Sequence, residues 1–146
     1  MPHPPLGARV ERLLLLDADA IKSGARLVGD LNPLHHDEAF AMASRYRGLI
    51  ASGAHTAALL VGMLGSSFGN EATDGQGLVV VDYSIKFCGP VRVGRQMRME
   101  WTVASVEPRR SGVLLTMQGG IIDVETDAVA LTAKLSVLYF DEPPSH

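Results

Sequence analysis

The chain has 146 residues, of which 47% are hydrophobic and 20% charged, a composition typical of one soluble globular domain with a buried core. A formal net charge of -3 with scattered basic residues argues against nucleic acid or an anionic membrane as a partner. No apolar run is long enough to cross a bilayer, and no secretory leader pattern opens the chain. The single cysteine, Cys88, excludes an internal disulfide; we expect it to be buried and inert, in a cytoplasmic protein.

The first elements are predicted to be one strand and one helix. Three prolines within residues 1–8 predict a flexible start. The Leu- and Val-rich run Arg9–Leu16 favours a short strand. Asp17 can then cap a helix over Ala18–Val28, and Gly29 is a natural residue to end it.

The next stretch, GDLNPLH from Gly29 to His35, carries the first candidate chemistry. Asn32 and Pro33 forbid a continuous helix, so the segment should turn and bring Asp30 beside His35. Such a pair is a plausible acid/base unit, although Asp-x-Asn-Pro is also ordinary turn chemistry. The end of the preceding helix is negative, so a partly apolar site would raise the pKa of Asp30.

A second short helix is predicted at Glu38–Tyr46, with Asp37 as its cap. The GDLNPLH turn therefore lies in a loop between two helices, a rigid mounting for chemistry. His36 is expected to be a bystander that points away from the site. We predict no metal, because His35, His36 and Asp37 are adjacent, and adjacent residues seldom ligate one ion.

The longest helix is predicted at Gly53–Phe68. It is almost free of charge and rich in small residues, so it should be buried nearly all round at the centre of the fold. Its N-terminus offers free N–H groups, and the Gly53 amide is a candidate donor to a carbonyl oxygen that gains negative charge. His55, in the first turn, is expected either to contact substrate or, more simply, to pack.

The remainder of the chain is predicted to be strands in series, after a polar loop at 70–77. Turns are expected at 107–111 and 124–127, and a short polar tail at 142–146. This order predicts an α+β domain with an antiparallel sheet. The predicted strands are Leu78–Phe87, Gln96–Val106, Gly112–Asp123 and Ala128–Phe140.

The stretch from Gly29 to Gly53, GDLNPLHHDEAFAMASRYRGLIASG, resembles the signature of MaoC-like dehydratases and R-specific enoyl-CoA hydratases. KFCGPVRVG, near Cys88, resembles a second and weaker motif of that family. The resemblance implies a hotdog fold, in which an antiparallel sheet wraps a long helix, over a single domain of residues 1–146. It also implies a homodimer or a dimer-based oligomer. One position departs from the signature: Ser52 stands where the family often has histidine.

The same resemblance implies an acyl-thioester substrate, carried by CoA or by acyl carrier protein, and no cofactor. Asp30 and His35 would catalyse reversible hydration of 2-enoyl thioesters. Asn32, Ser52, Gly53 and His55 are the candidate substrate-binding residues. There are two alternatives. One is a hotdog thioesterase, which is disfavoured because the long helix has no Asp or Glu. The second is a non-catalytic acyl-binding subunit.

Overall fold

The computed structural model describes residues 3–68 and 76–141, except the side chains of Gln76 and Asp141. The polar loop expected at 70–77 lies mostly outside the described residues, and the tail expected at 142–146 lies outside them entirely. Residues 7 and 8 of the predicted flexible start are bonded to the sheet. The Gly7 amide donates to the Val103 carbonyl, and the Val103 amide donates to the Ala8 carbonyl.

Five strands form one antiparallel sheet in the order β1-β3-β4-β5-β2. Within the described residues, three α-helices and a short 3₁₀ helix precede β2. The sequence therefore predicted the number, type and order of the main elements. Their bounds are β1 Arg9–Leu15, α1 Ala18–Leu27, the 3₁₀ helix Pro33–His35, α2 Glu38–Ala43, α3 Gly53–Ser67, β2 Gln76–Phe87, β3 Gln96–Arg109, β4 Gly112–Asp123 and β5 Val129–Asp141.

The hydrophobic core lies between α3 and the concave side of the sheet. Leu60, Met63 and Leu64 of α3 are fully buried, in one cluster with side chains from the central strands. Trp101 of β3 is also fully buried, and its indole N–H donates to the Leu60 carbonyl over 2.8 Å. This bond satisfies the buried indole and fixes the helix against the sheet, which places the start of α3.

Two element ends differ from the prediction by three residues, and the other ends by two at most. Helix α2 stops at Ala43 rather than Tyr46, because Ser44 turns extended and its hydroxyl donates to the Ala41 carbonyl. Strand β3 continues to Arg109 and so includes Pro108, which lies within the predicted turn. β1 pairs with β3 as far as Thr102, and Val103 still bonds Gly7 and Ala8. Among the described residues the edge of β3 is free beyond Val103, so a proline there costs no ladder bond.

The long helix is less enclosed than predicted. In the single chain its small residues form an exposed stripe, while the opposite face is buried; the stripe comprises Ala54, Ala58, Gly62 and Gly65. The end of α1 is also exposed, with Leu27 85% accessible. Among the described residues, no helix is both long enough and apolar enough to span a membrane.

Candidate active site

The backbone of Asp30 is fixed by the end of α1. Gly29 has φ 75°, a left-handed conformation that favours glycine. Its amide donates to the Arg26 carbonyl, and the Asp30 amide donates to the Ala25 carbonyl over 2.8 Å. These two bonds form a Schellman motif, so the helix end sets where the GDLNPLH turn begins. His36 also holds the backbone of Asp30: its Nε2 lies 2.7 Å from the Asp30 carbonyl oxygen, and because a carbonyl only accepts, Nε2 is the donor.

The carboxylate of Asp30 is held at both oxygens. Oδ1 accepts a hydrogen bond from the backbone N–H of Asn32 over 3.1 Å, and Oδ2 accepts one from the Ser52 hydroxyl over 2.6 Å. Oδ2 also lies 3.2 Å from Nε2 of His35. The turn therefore brings Asp30 and His35 together as the spacing predicted, and Ser52 joins them from the start of α3.

His35 is buried, with 6% of its surface accessible, and its tautomer is set by a second contact. Its Nδ1 lies 2.7 Å from the carbonyl oxygen of Ile50. A carbonyl can only accept, so Nδ1 carries the hydrogen in every protonation state that keeps this bond. Nε2 is then the nitrogen that gains or loses a proton, directly beside Asp30.

The pKa of Asp30 shifts in the direction opposite to the one predicted from the helix end. The pKa of Asp30 is lowered from 3.8, chiefly by the Ser52 hydroxyl and then by the Asn32 amide, with smaller help from His35. Burial acts in the opposite direction but is outweighed. The predicted rise in pKa was wrong, because two hydrogen bonds to the charged form outweigh desolvation and the helix end. Asp30 is thus a carboxylate at neutral pH.

A cavity of about 370 Å³ opens beside this pair. His35 forms part of its wall, and so do Asn32 and Gly53. The wall is mostly apolar, as an acyl group requires; its other members are Leu34, Tyr46, Ile50, Ala51, Thr56, Phe87, Cys88, Gly89, Pro90, Val91, Ala130 and Leu131.

Gly53 presents its backbone to this cavity at the first turn of α3. As a first-turn residue it has no acceptor for its N–H within the helix. A Cβ at this position would lie 2.9 Å from Cε1 of Phe87, so the close approach of this ring requires glycine. The geometry agrees with the predicted role of the Gly53 amide as a donor.

Two candidate substrate-binding residues do not fit that role. Ser52 is fully buried, lies outside the cavity wall and binds Asp30 instead. His55 also lies outside the wall and packs its ring against Gly24 of α1, with a buried Nδ1 that has no hydrogen-bond partner in the described part of the chain. Packing, the simpler expectation for His55, therefore accounts for it.

The wall residues that sequence reasoning missed include Tyr46 and Thr56. Thr56 had a detectable signal, because it lies one turn after Gly53 in α3. Tyr46 gave none. Phe87 lies in KFCGPVRVG, the second motif of the family resemblance, so the sequence did indicate this wall residue. The prediction for Cys88 was wrong: it is exposed, because it follows the last residue of an edge strand. No group of three potential metal ligands occurs among the described residues.

Comparison with known proteins agrees with this geometry. The family model described as "MaoC like domain" matches residues 9–123. The chain is 32% identical over 116 residues to an (R)-specific enoyl-CoA hydratase of Aeromonas caviae, covering 77% of this chain and 83% of that protein. It is 34% identical over 86 residues to a 3-hydroxybutyryl-CoA dehydratase of Methylorubrum extorquens, covering 59% of this chain and 52% of the relative. The match thus spans only about half the length of that second relative.

The fold is shared as well. A solved structure of an (R)-hydratase from A. caviae, described as involved in PHA biosynthesis, superposes with a TM-score of 0.78 at 26% identity. The superposition covers 95% of this chain and 97% of the other. The predicted hotdog fold is confirmed. Because the family model spans most of the chain and the fold agrees, the chain belongs to the MaoC-like domain family.

Proposed function

We propose that this protein catalyses the reversible addition of water to a 2-enoyl thioester, which gives the 3-hydroxyacyl thioester. The observation that carries the proposal is the Asp30–His35 pair: Oδ2 and Nε2 are 3.2 Å apart, and His35 lines an apolar cavity while Asp30 lies behind it. Two titratable groups in contact can remove one proton and return another, which hydration requires.

In the hydration direction, the oxygen of water adds to C3 while one of its protons passes to the Asp30–His35 pair. The π electrons move toward the thioester, whose oxygen becomes enolate-like, and C2 then receives a proton from the pair. Dehydration reverses each step. The two groups act as one coupled unit, because a proton on either of them changes the charge that the other experiences.

The Gly53 amide supports the same chemistry as a donor to the thioester oxygen. It lies at the positive end of α3 and at the cavity wall, where negative charge develops in this reaction. Helix α3 contains no Asp or Glu, so it offers no carboxylate of the kind that a hotdog thioesterase places there. This favours hydration over hydrolysis of the thioester.

The names of the relatives support the reaction class and suggest the R configuration at C3. A panel of trans-2-enoyl-CoA substrates of increasing chain length tests the proposal, with loss of the enoyl absorbance and release of free thiol followed together. We expect absorbance loss without thiol release. Thiol release in step with substrate loss would identify a thioesterase, and tight binding without turnover would identify a non-catalytic subunit.

We also propose that the working form is a cytoplasmic homodimer or an assembly of such dimers. Strand β2 is a sheet edge and lies next to α3. Its apolar side chains are unusually exposed, including Tyr83 at 60% and Phe87 at 56%. The exposed small residues of α3 let another backbone approach closely. An apolar edge beside such a helix face is best covered by a second copy, since closed two-fold pairing leaves no free edge.

A matched pair of arginine substitutions tests this interface. Tyr83→Arg places a charge in the proposed contact and should lower the sedimentation mass toward that of a monomer at micromolar concentration. Leu27→Arg changes an even more exposed apolar residue, at the end of α1, and should leave the mass at that of the wild type. A monomeric wild-type protein, or equal effects of the two changes, would refute the proposed interface.

A further inference from the structure

Ser52 occupies the N-cap position of α3 but does not cap the helix with its side chain. Its backbone has φ −59° and ψ 132°, suitable for an N-cap residue. A serine at this position usually accepts a hydrogen bond from an amide of the first turn, and the Ser52 side chain makes no such bond. The residue is fully buried and lies outside the cavity wall, so neither capping nor substrate contact accounts for its hydroxyl.

The hydroxyl is instead committed to the catalytic pair. Its one proton is donated to Oδ2 of Asp30 over 2.6 Å, because a carboxylate can only accept. The same oxygen faces Nε2 of His35. Since the Asn32 amide holds the other oxygen, Oδ1, rotation of the carboxylate would break both bonds. The Ser52 bond therefore selects the oxygen that is presented to the imidazole.

We propose that Ser52 is a positioning residue for the hydration reaction, which holds Asp30 in the orientation that pairs it with His35 without touching the substrate. The inference rests on the proposed function. The family signature often has histidine at this position, so the proposal concerns a residue in which this chain departs from the signature.

Loss of the hydroxyl has two consequences for Asp30. The carboxylate can rotate away from His35, which misplaces a reacting group and lowers the rate. The hydrogen bond from Ser52 is also the largest of the contributions that lower the pKa of Asp30. Without it this pKa rises, and the acidic limb of the activity profile moves to higher pH.

Kinetics of three variants test the proposal. We expect Ser52→Ala to lower kcat by about 10-fold to 100-fold with KM nearly unchanged, and to move the acidic limb of the pH profile upward. Ser52→Thr keeps a hydroxyl and should restore most of kcat and the wild-type profile. Ser23→Ala removes an exposed serine of α1, whose hydroxyl bonds only within its helix, and should match the wild type. Should Ser52→Ala fail to fold, Ser52→Cys keeps the volume with a weaker donor and is expected to show the same changes to a smaller degree.

A second measurement needs no substrate. In carbon-13 NMR of the carboxyl groups, the Asp30 signal should titrate at higher pH in Ser52→Ala than in the wild type. An unchanged titration, with activity lost only in proportion to folded protein, would show that Ser52 is merely structural. A raised KM with unchanged kcat would show that it contacts substrate, and either result overturns the proposal. A wild-type protein that hydrates no enoyl thioester would refute the proposed function but leave the NMR result standing.

Discussion

Two histidines lie near the start of α3 and differ in their contacts. Nδ1 of His35 donates to the Ile50 carbonyl, and its Nε2 lies 3.2 Å from Oδ2 of Asp30. The ring of His55 packs against Gly24, and its buried Nδ1 has no hydrogen-bond partner among the described residues. Nearness to α3 does not distinguish the two histidines; their hydrogen-bond partners do. A histidine with a fixed tautomer and a carboxylate beside its free nitrogen can exchange protons, whereas one enclosed without partners disfavours its charged form.

The sharpest test of this comparison is a matched pair of glutamine substitutions. His35→Gln should lower kcat by about 100-fold or more, because it removes one acid/base group, and Asp30→Asn should do the same. His55→Gln should leave kcat close to that of the wild type. Initial rates with an enoyl-CoA substrate give these values, and circular dichroism checks that each variant is folded. Near-wild-type turnover by either Asp30→Asn or His35→Gln would remove the pair from the mechanism.

The packing of His55 against Gly24 predicts a loss of stability when a larger residue replaces this glycine. A Cβ on residue 24 would lie 2.0 Å from Cε1 of His55, so Gly24→Ala forces α1 and α3 apart or displaces the ring. Overpacking costs roughly 1–3 kcal/mol, and alanine in place of glycine within a helix gains roughly 0.5–1 kcal/mol, so we expect the free energy of unfolding to fall by a net amount of up to about 2 kcal/mol. Urea denaturation measures it. Gly24→Ala combined with His55→Ala should recover part of the loss, and a double variant no more stable than Gly24→Ala would contradict the contact.

The smallest expected effect is a pH dependence of stability. Desolvation lowers the pKa of His55 from 6.5 in the folded chain, so below pH 6.5 the unfolded chain takes up this proton more readily. The contribution of His55 is therefore present above pH 6.5 and is lost as the pH falls toward its folded pKa. Denaturation midpoints between pH 8 and about pH 5.5 should decline more in the wild type than in His55→Gln. Parallel curves for the two proteins would show that His55 has no part in this dependence.

Much of the site could be predicted because it is local in sequence. Asp30 and His35 lie within one turn, and Gly29 and Pro33 restrict the backbone on either side, so few conformations separate the two side chains. The pKa of Asp30 could not be predicted, because it depends on a hydroxyl 22 residues away at the start of another helix. Nor could the outward position of Cys88, which follows from the place of β2 at the sheet edge.

The sequence by itself determined the α+β class, the strand and helix order, and the turn that pairs Asp30 with His35, since hydrophobic period, capping residues and proline act over a few neighbours. Only the tertiary structure decided which side chains meet from distant segments. It joined Ser52 to Asp30 and directed His55 to Gly24 rather than to the cavity. It also left one face of α3 uncovered. These outcomes depend on how the sheet closes around the helix, a non-local arrangement that no short stretch of the chain encodes.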